Sequence, residues 1–208
     1  MKPVILAYCL AVWAATASAQ AVGIFTADTN VGSATGSVSY DRKQQTYLIA
    51  ASGRNMWDRH DDFHFVWKRM GGNFTLSTRA HFVGKGGEEH RKIGWTIRPW
   101  LEPGSAHVTA ALHGNGLMSL QFRRSTGGIT EEEKSADSLP DADAIIQLER
   151  RDGEYIMSVA RFGDSLVTTR LTGVSLPDSV YVGLFVCSHD ENVTERAVFS
   201  NVRITKRK

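Results

Sequence analysis

The side chains with the most chemical potential in this chain cluster in "GWTIRPWLEPGSAHVTAALHGNGLMSLQFRR", from Gly94 to Arg124. Arg98, His107, Thr109, Gln121 and Arg123 alternate with apolar residues there, so they share one face of neighbouring strands. A guanidinium grips a carboxylate through two parallel N–H bonds, and imidazoles, carboxamides and hydroxyls both donate and accept. Such a set suits a ligand rich in hydroxyls or carboxylates. His189 in "SHD" and two tryptophans beside turn residues, Trp57 and Trp100, extend the candidate ligand-binding set. An indole can stack on the apolar face of a sugar; it can equally cap a core. A polar sheet face turned to water with no ligand at all is the ordinary alternative.

Other chemistries leave weaker traces. A retaining glycosidase needs two carboxylates about 5 Å apart, and no strand carries an E-x-D-x-E pattern or its near equivalent. A lyase acting on an acidic sugar could use His or Tyr as base and Arg or Gln to neutralise the carboxylate, and the inventory Arg98, His107, Gln121, Arg123 and His189 is compatible with that. "WDRHDDFHF" brings His60, Asp61, Asp62 and His64 together in sequence, but Asp61 and Asp62 point opposite ways on an extended chain, so turn formation and solvation are expected of them. "GKGGEEHRK" offers Glu88, Glu89 and His90 on a Gly-rich loop. Oxygen ligands on loops favour calcium over zinc. No metal-ligand spacing appears in either run, so no metal site and no cofactor are expected, with calcium left open. Phosphate loops, G-x-S-x-G elbows and metalloprotease motifs are absent from the sequence.

The elements that must hold these residues read as short strands. Runs such as "TYLIAAS", "DFHFVWKRM", "KIGWTIRPW" and "YVGLFVCS" are separated by Gly, Asp, Asn and Pro, which argues for an all-β sandwich or barrel. Two hairpins can be registered. With Gly114–Asn115–Gly116 as a three-residue loop, Leu112 faces Met118, Ala110 faces Leu120 and Val108 faces Phe122; the other side then pairs Thr109 with Gln121 and His107 with Arg123. A two-residue loop would set Leu112 against Ser119, and burial rejects that slip. In "IIQLERRDGEYIMSVA", an Asp152–Gly153 turn sets Leu148 against Met157 and Ile146 against Val159. Phe63, Phe65 and Trp67 are expected in the core, with His64 and Val66 opposite. The stretch from Ser125 to Asp143, with its Glu131–Glu132–Glu133 run, reads as a solvated surface loop.

The N-terminus has the grammar of a cleaved export leader: Lys2, the apolar run "VILAYCLAVWAA", and small residues ending in Ala17-x-Ala19. The run is too short to span a bilayer, which takes roughly 20 apolar residues. The expected organisation is a signal peptide over 1–19 and a single β-sandwich domain over 20–208, exported to a periplasmic or extracellular compartment, with no membrane span after cleavage. One cysteine, Cys187, then remains; it lies in an apolar run and reads as a buried, inert thiol. The formal charge is +2, with acids and bases interspersed, and no basic stripe suggests nucleic acid.

The runs "NMWDRHDDFHFVWKRMGGNFTLSTRAHFVG" and "HRKIGWTIRPWLEPGSAHVTAALHGNGLMSLQFRR", followed by "LERRDGEYIMSVAR", "YVGLFVCSHD" and "AVFSNVRI", resemble an uncharacterised family of exported bacterial domains. That family is LamG-like, belongs to the concanavalin A-like lectin/glucanase superfamily, and sometimes stands beside TolB-type propeller proteins. The resemblance covers roughly Val38 to Thr205. It implies a two-sheet antiparallel β-sandwich, a concanavalin A-like jelly roll, with a concave polar face that often holds glycan. Carried over by position, Arg98, His107, Gln121, Arg123, His189 and Asp190 lie on or beside that face. The expectation is an exported module that binds an oligo- or polysaccharide; a glycan-active enzyme, lyase or hydrolase, is the alternative, and a structural or protein-binding sandwich the third reading.

Overall fold

A computed structural model describes residues 21–85, 87–141 and 143–207; the expected leader lies outside them. Strands run through the chain, and the described residues contain no helix. In order they are β1 (Ala27–Val31), β2 (Gly36–Asp41), β3 (Thr46–Gly53), β4 (Met56–Trp57), β5 (His60–Asp61), β6 (Phe63–Met70), β7 (Phe74–Phe82) and β8 (Lys92–Arg98). Then follow β9 (His107–His113), β10 (Leu117–Arg123), β11 (Thr130–Ser138), β12 (Ala144–Arg151), β13 (Glu154–Arg161), β14 (Val167–Leu171), β15 (Val180–Cys187) and β16 (Asp190–Lys206).

Two seven-stranded antiparallel sheets carry the fold. Sheet I has the order β1-β6-β15-β8-β9-β10-β11, and sheet II the order β14-β13-β12-β7-β16-β3-β2. Their inner faces close on one core, where Val66, Trp95, Ile97, Val108, Leu120 and Leu184 of sheet I share a buried cluster with Ile49, Leu76, Ile146, Leu148, Met157 and Phe199 of sheet II. Each such side chain contributes about 1.5–3 kcal/mol by leaving water, so alternate apolar residues dictate which face of each strand points inward. β4 and β5 form a separate small hairpin.

Both registered hairpins are found as expected. Leu112 pairs with Met118, Ala110 with Leu120, Val108 with Phe122, Thr109 with Gln121 and His107 with Arg123. Gly116 closes that turn at φ 88°, and a Cβ there would come within 2.3 Å of the Pro140 nitrogen, so only glycine fits. In the second hairpin Leu148 pairs with Met157 and Ile146 with Val159, around Asp152 and Gly153 at φ 48° and 84°. β8 lies beside β9, matching Thr96 to Thr109 and Ile97 to Val108.

Two expectations are corrected. Val66, not Phe63 or Phe65, enters the main core; Phe63 and Phe65 join Val31, Met56, Ala111, Phe185 and Cys187 in a second buried cluster on the outer face of sheet I, with Trp67 packed against it. Alternation sorts residues into two faces, but it cannot rank them when both are covered. The stretch taken as a surface loop contains β11, which pairs with β10 and ends sheet I. Its Glu131–Glu133 run sits on an edge strand, where charge discourages further strand pairing.

Candidate functional site

The outer face of sheet I has a closed half and an open half. Over the closed half lie the β4–β5 hairpin and the loop 99–106. Asp61, at the end of β5, is fully buried and faces two fully buried guanidiniums. Arg123 holds both its oxygens, Nη2 to Oδ1 at 2.7 Å and Nη1 to Oδ2 at 2.8 Å. Arg98 Nη2 reaches Oδ2 at 3.3 Å. Most of the other donors bind main chain: Arg123 donates to the Asp58 carbonyl at 3.1 Å and the Ser105 carbonyl at 2.9 Å, and Arg98 to the Trp100 carbonyl at 2.8 Å and the Glu102 carbonyl at 2.7 Å. Arg123 also reaches Thr130 Oγ1 at 2.9 Å, and Arg98 Nη1 has no hydrogen-bond partner among the described residues. Burial works against the charge on Asp61, but His107, Arg98 and Arg123 outweigh it and its pKa falls below the usual carboxylate range. The two guanidiniums suffice for this, because burial pushes the His107 pKa down to about 3 and leaves that ring neutral.

This corrects the expected open trough. Arg98, His107, Thr109 and Arg123 do share the outer face, but all four are sealed from solvent. Thr109 Oγ1 is 2.7 Å from Thr96 Oγ1 and 3.0 Å from His107 Nδ1. Arg98 and Arg123 fasten the hairpin and the 99–106 loop to the sheet. The acids of "WDRHDDFHF" are corrected with them: Asp61 is internal, and Asp62 is also buried, accepting from the Ser33 amide at 2.7 Å.

The open half is a cleft of about 250 Å³ over β8 to β11. Lys92, His113 and Gln121 come from the sheet, Asn55 and Trp57 from the hairpin side, and Glu132 and Lys134 from β11; His90 and His189 complete the lining on loops. Lys92 and His113 are cross-strand partners, and Gln121 pairs with Glu132. Gln121 is 1% exposed, yet neither its Nε2 nor its Oε1 has a hydrogen-bond partner among the described residues. Most buried carboxamides are satisfied, so this one is an exception, with a free donor in Nε2 and a free acceptor in Oε1 among the described residues. His113 donates or accepts through Nε2 to Ser119 Oγ at 3.1 Å, and its Nδ1 is unpartnered. Burial, helped by Lys92, His90, His189 and Lys134, pushes its pKa down to about 3. Cys187 beside Lys92 is buried as expected, and burial pushes its thiol up to about 11, so it is not a nucleophile.

Of the expected ligand-binding residues, the cleft therefore gathers Gln121, His189 and Trp57. Trp100 is not in its lining; it is 53% exposed on the loop after β8. Sequence reasoning missed Asn55, His90, Lys92, His113, Glu132 and Lys134. Lys92 had a readable signal, because it continues the Thr96, Arg98 alternation backward along β8. Glu132 and Lys134 had none once their strand was taken for a loop. A second cavity of about 420 Å³ lies near Phe82, Arg91 and Leu139. Its charges are paired internally, Arg91 with Glu195 at 2.8 Å and Lys85 with Asp141 at 3.7 Å. No group of three or more His, Cys, Asp or Glu among the described residues is placed to hold a metal ion. No helix of the described residues is long and apolar enough to cross a membrane.

No family model matches the chain, and no curated protein matches it in sequence. Solved structures match it in shape. A protein of Saccharomyces cerevisiae described as functionally unknown is 16% identical, with 85% of this chain and 97% of that chain covered and a TM-score of 0.66. A carbohydrate-binding module from Bacillus subtilis is 14% identical, covering 88% and 98% of the two chains at a TM-score of 0.59. An alginate lyase of polysaccharide lyase family 7 is 13% identical, covering 81% and 82% at a TM-score of 0.54. At such identities the likeness speaks for architecture: this chain is a two-sheet antiparallel sandwich of the concanavalin A-like jelly-roll type.

Proposed function

We propose that this protein is an exported, LamG-like glycan-binding module whose binding site is the cleft over β8 to β11. The observation that carries this is Gln121, a buried carboxamide at the cleft floor with both polar atoms unpartnered among the described residues. Leaving a buried polar group unsatisfied costs about 1–3 kcal/mol, a cost that a ligand's hydroxyl removes on binding. Trp57 supplies an aromatic wall beside it, and His189 a polar rim. The jelly-roll neighbours, among them a carbohydrate-binding module, support a saccharide as the ligand. Export rests on the leader-like residues 1–19; recovery of a mature chain beginning at Gln20 from periplasm or medium checks it.

Affinity electrophoresis through a panel of embedded polysaccharides tests the binding. The wild-type chain is expected to be retarded by at least one of them, and Gln121→Leu to migrate as in the blank gel while melting within about 1 kcal/mol of wild type. The reading fails if no polysaccharide retards the protein, or if Gln121→Leu binds as wild type does.

A second reading, cleavage of the glycan by elimination, draws on His113, whose Nδ1 is unpartnered among the described residues in the same cleft; with its pKa pushed down to about 3 the ring is a weak base, so this reading ranks below binding. Hydrolysis is less favoured: Glu132 is the one carboxylate among the described residues lining the cleft, and a glycosidase needs a pair. Mass analysis of oligosaccharides incubated with the protein separates binding from cleavage; new unsaturated products would support elimination.

A further inference from the structure

Lys92 is an anomaly in the cleft. It is 2% exposed, and among the described residues no carboxylate lies within ion-pairing distance of it. Its ammonium donates to two neutral oxygens, Asn55 Oδ1 at 2.5 Å and the Met56 carbonyl at 3.4 Å, and lies 5.9 Å from the centre of the Trp57 ring. Buried charges in proteins are ordinarily paired, and the contrast within this molecule is direct. Arg98 and Arg123 share Asp61, and Arg91 has Glu195. At the cleft's β11 side Lys134 is answered by Glu132 at 3.3 Å, and at its rim His189 by Glu88 at 3.6 Å. Among the described residues, Lys92 alone faces the cleft as an unanswered cation.

Building on the glycan-binding reading, we propose that the cleft takes an acidic sugar, a uronate whose carboxylate pairs with Lys92 while a ring hydroxyl meets the Gln121 carboxamide. One unmatched positive charge calls for one negative charge, which a uronate residue carries. Trp57, which already faces the ammonium, stands where it can pack on the sugar's apolar face. Burial pulls the Lys92 pKa down, and an arriving carboxylate offsets that, so binding strengthens the charge that attracts it. Hydrogen bonds to charged groups are stronger than neutral ones, so the acidic sugar is held in preference to its neutral counterpart.

Titration calorimetry of the mature chain tests this with tetragalacturonate, tetraguluronate and tetramannuronate, each beside the same oligomer after its carboxyls are reduced to hydroxymethyls. Free glucuronate and a sulfated galactan complete the panel. At least one oligouronate is expected to bind tenfold or more tightly than its reduced form, with an affinity that falls as salt rises. Lys92→Met, which removes a buried unpaired ammonium at similar volume, is expected to fold with an unchanged or higher melting temperature and to bind acid and reduced forms alike. Equal binding of the two forms by the wild-type chain, or a preference that survives Lys92→Met, overturns the proposal and leaves a neutral-glycan site standing. Binding of the sulfated galactan but of no uronate overturns the carboxylate. If free glucuronate binds as tightly as the tetramers, the site takes small sugar acids and the polymer is not its ligand. Absence of binding to every saccharide, acidic or neutral, removes the glycan reading itself.

Discussion

At one end of sheet I's outer face two guanidiniums share a carboxylate under the β4–β5 hairpin; at the other, Lys92 and Gln121 stand at the floor of a cleft with no such partner. Both ends are made of the same materials, polar side chains alternating on β8, β9 and β10. The difference is what covers them. At the closed end the two atoms left without a partner among the described residues, Arg98 Nη1 and His107 Nε2, are sealed from solvent, while Asp61 and the carbonyls of Asp58, Trp100, Glu102 and Ser105 take most of the arginine donors. Nothing in the described chain does this for Gln121. Charge and polarity on a sheet face are therefore a poor guide to a binding site; an unpartnered polar group beside an open cleft is a better one.

The largest effect expected to break this comparison is at Asp61. Asp61→Asn leaves Arg98 and Arg123 buried without an anion, and chemical denaturation should show a loss of about 3–5 kcal/mol. A loss below about 1 kcal/mol would mean that the closed half is not held by this ion pair.

Acid should act on both halves, with an effect of comparable size. His107 and His113 titrate at about 3 in the folded chain and near 6.5 when unfolded. Between those values the unfolded state binds more protons, so stability falls as pH drops below about 6.5. The slope expected is roughly 1.4 kcal/mol per pH unit for each histidine, with Asp61 adding to it only below about pH 4. Urea melts from pH 7 to 4.5 measure it, and His113→Gln should remove roughly 1.4 kcal/mol per pH unit from a slope to which His64 and His189, their pKa values also lowered by burial, contribute. A slope unaltered by that substitution would mean that His113 is not kept neutral by its burial and by Lys92, His90, His189 and Lys134 around it.

The smallest effects sharpen the comparison. Trp57→Ala should weaken glycan binding about tenfold, since an aromatic contact is worth about 0.5–1.5 kcal/mol beyond its area. Trp100→Ala, outside the cleft, should leave binding within twofold and stability within about 0.5 kcal/mol. If the two substitutions act equally on binding, the ligand is not confined to the cleft.

The strand pairings were legible because each hairpin has one clean apolar face, and a slip of one residue in either would expose it. Arg98, His107, Thr109, Gln121 and Arg123 were correctly assigned to a common face for the same reason. What alternation could not disclose was depth. The cover over Arg98 and Arg123 comes from residues 54–62 and 99–106, whose path depends on turns such as Asp58, at φ 46°, and on contacts between segments far apart in sequence. Phe63 and Phe65 were misplaced by the same blindness, since an apolar residue is buried equally well on either side of a doubly covered sheet. Lys92 was overlooked because it begins its strand, where the alternating pattern is weakest.

The β4–β5 hairpin is clamped on its Asp61 side, while Asn55 and Trp57 form part of the cleft. Arg123 also holds the Asp58 carbonyl, so the backbone that carries the indole is anchored before any sugar arrives. A ligand then spends little of its affinity on ordering the protein. The residues at 55 and 57 can also be exchanged one for another without loosening the clamp, so saccharide preference can drift over evolutionary time on an unaltered chassis.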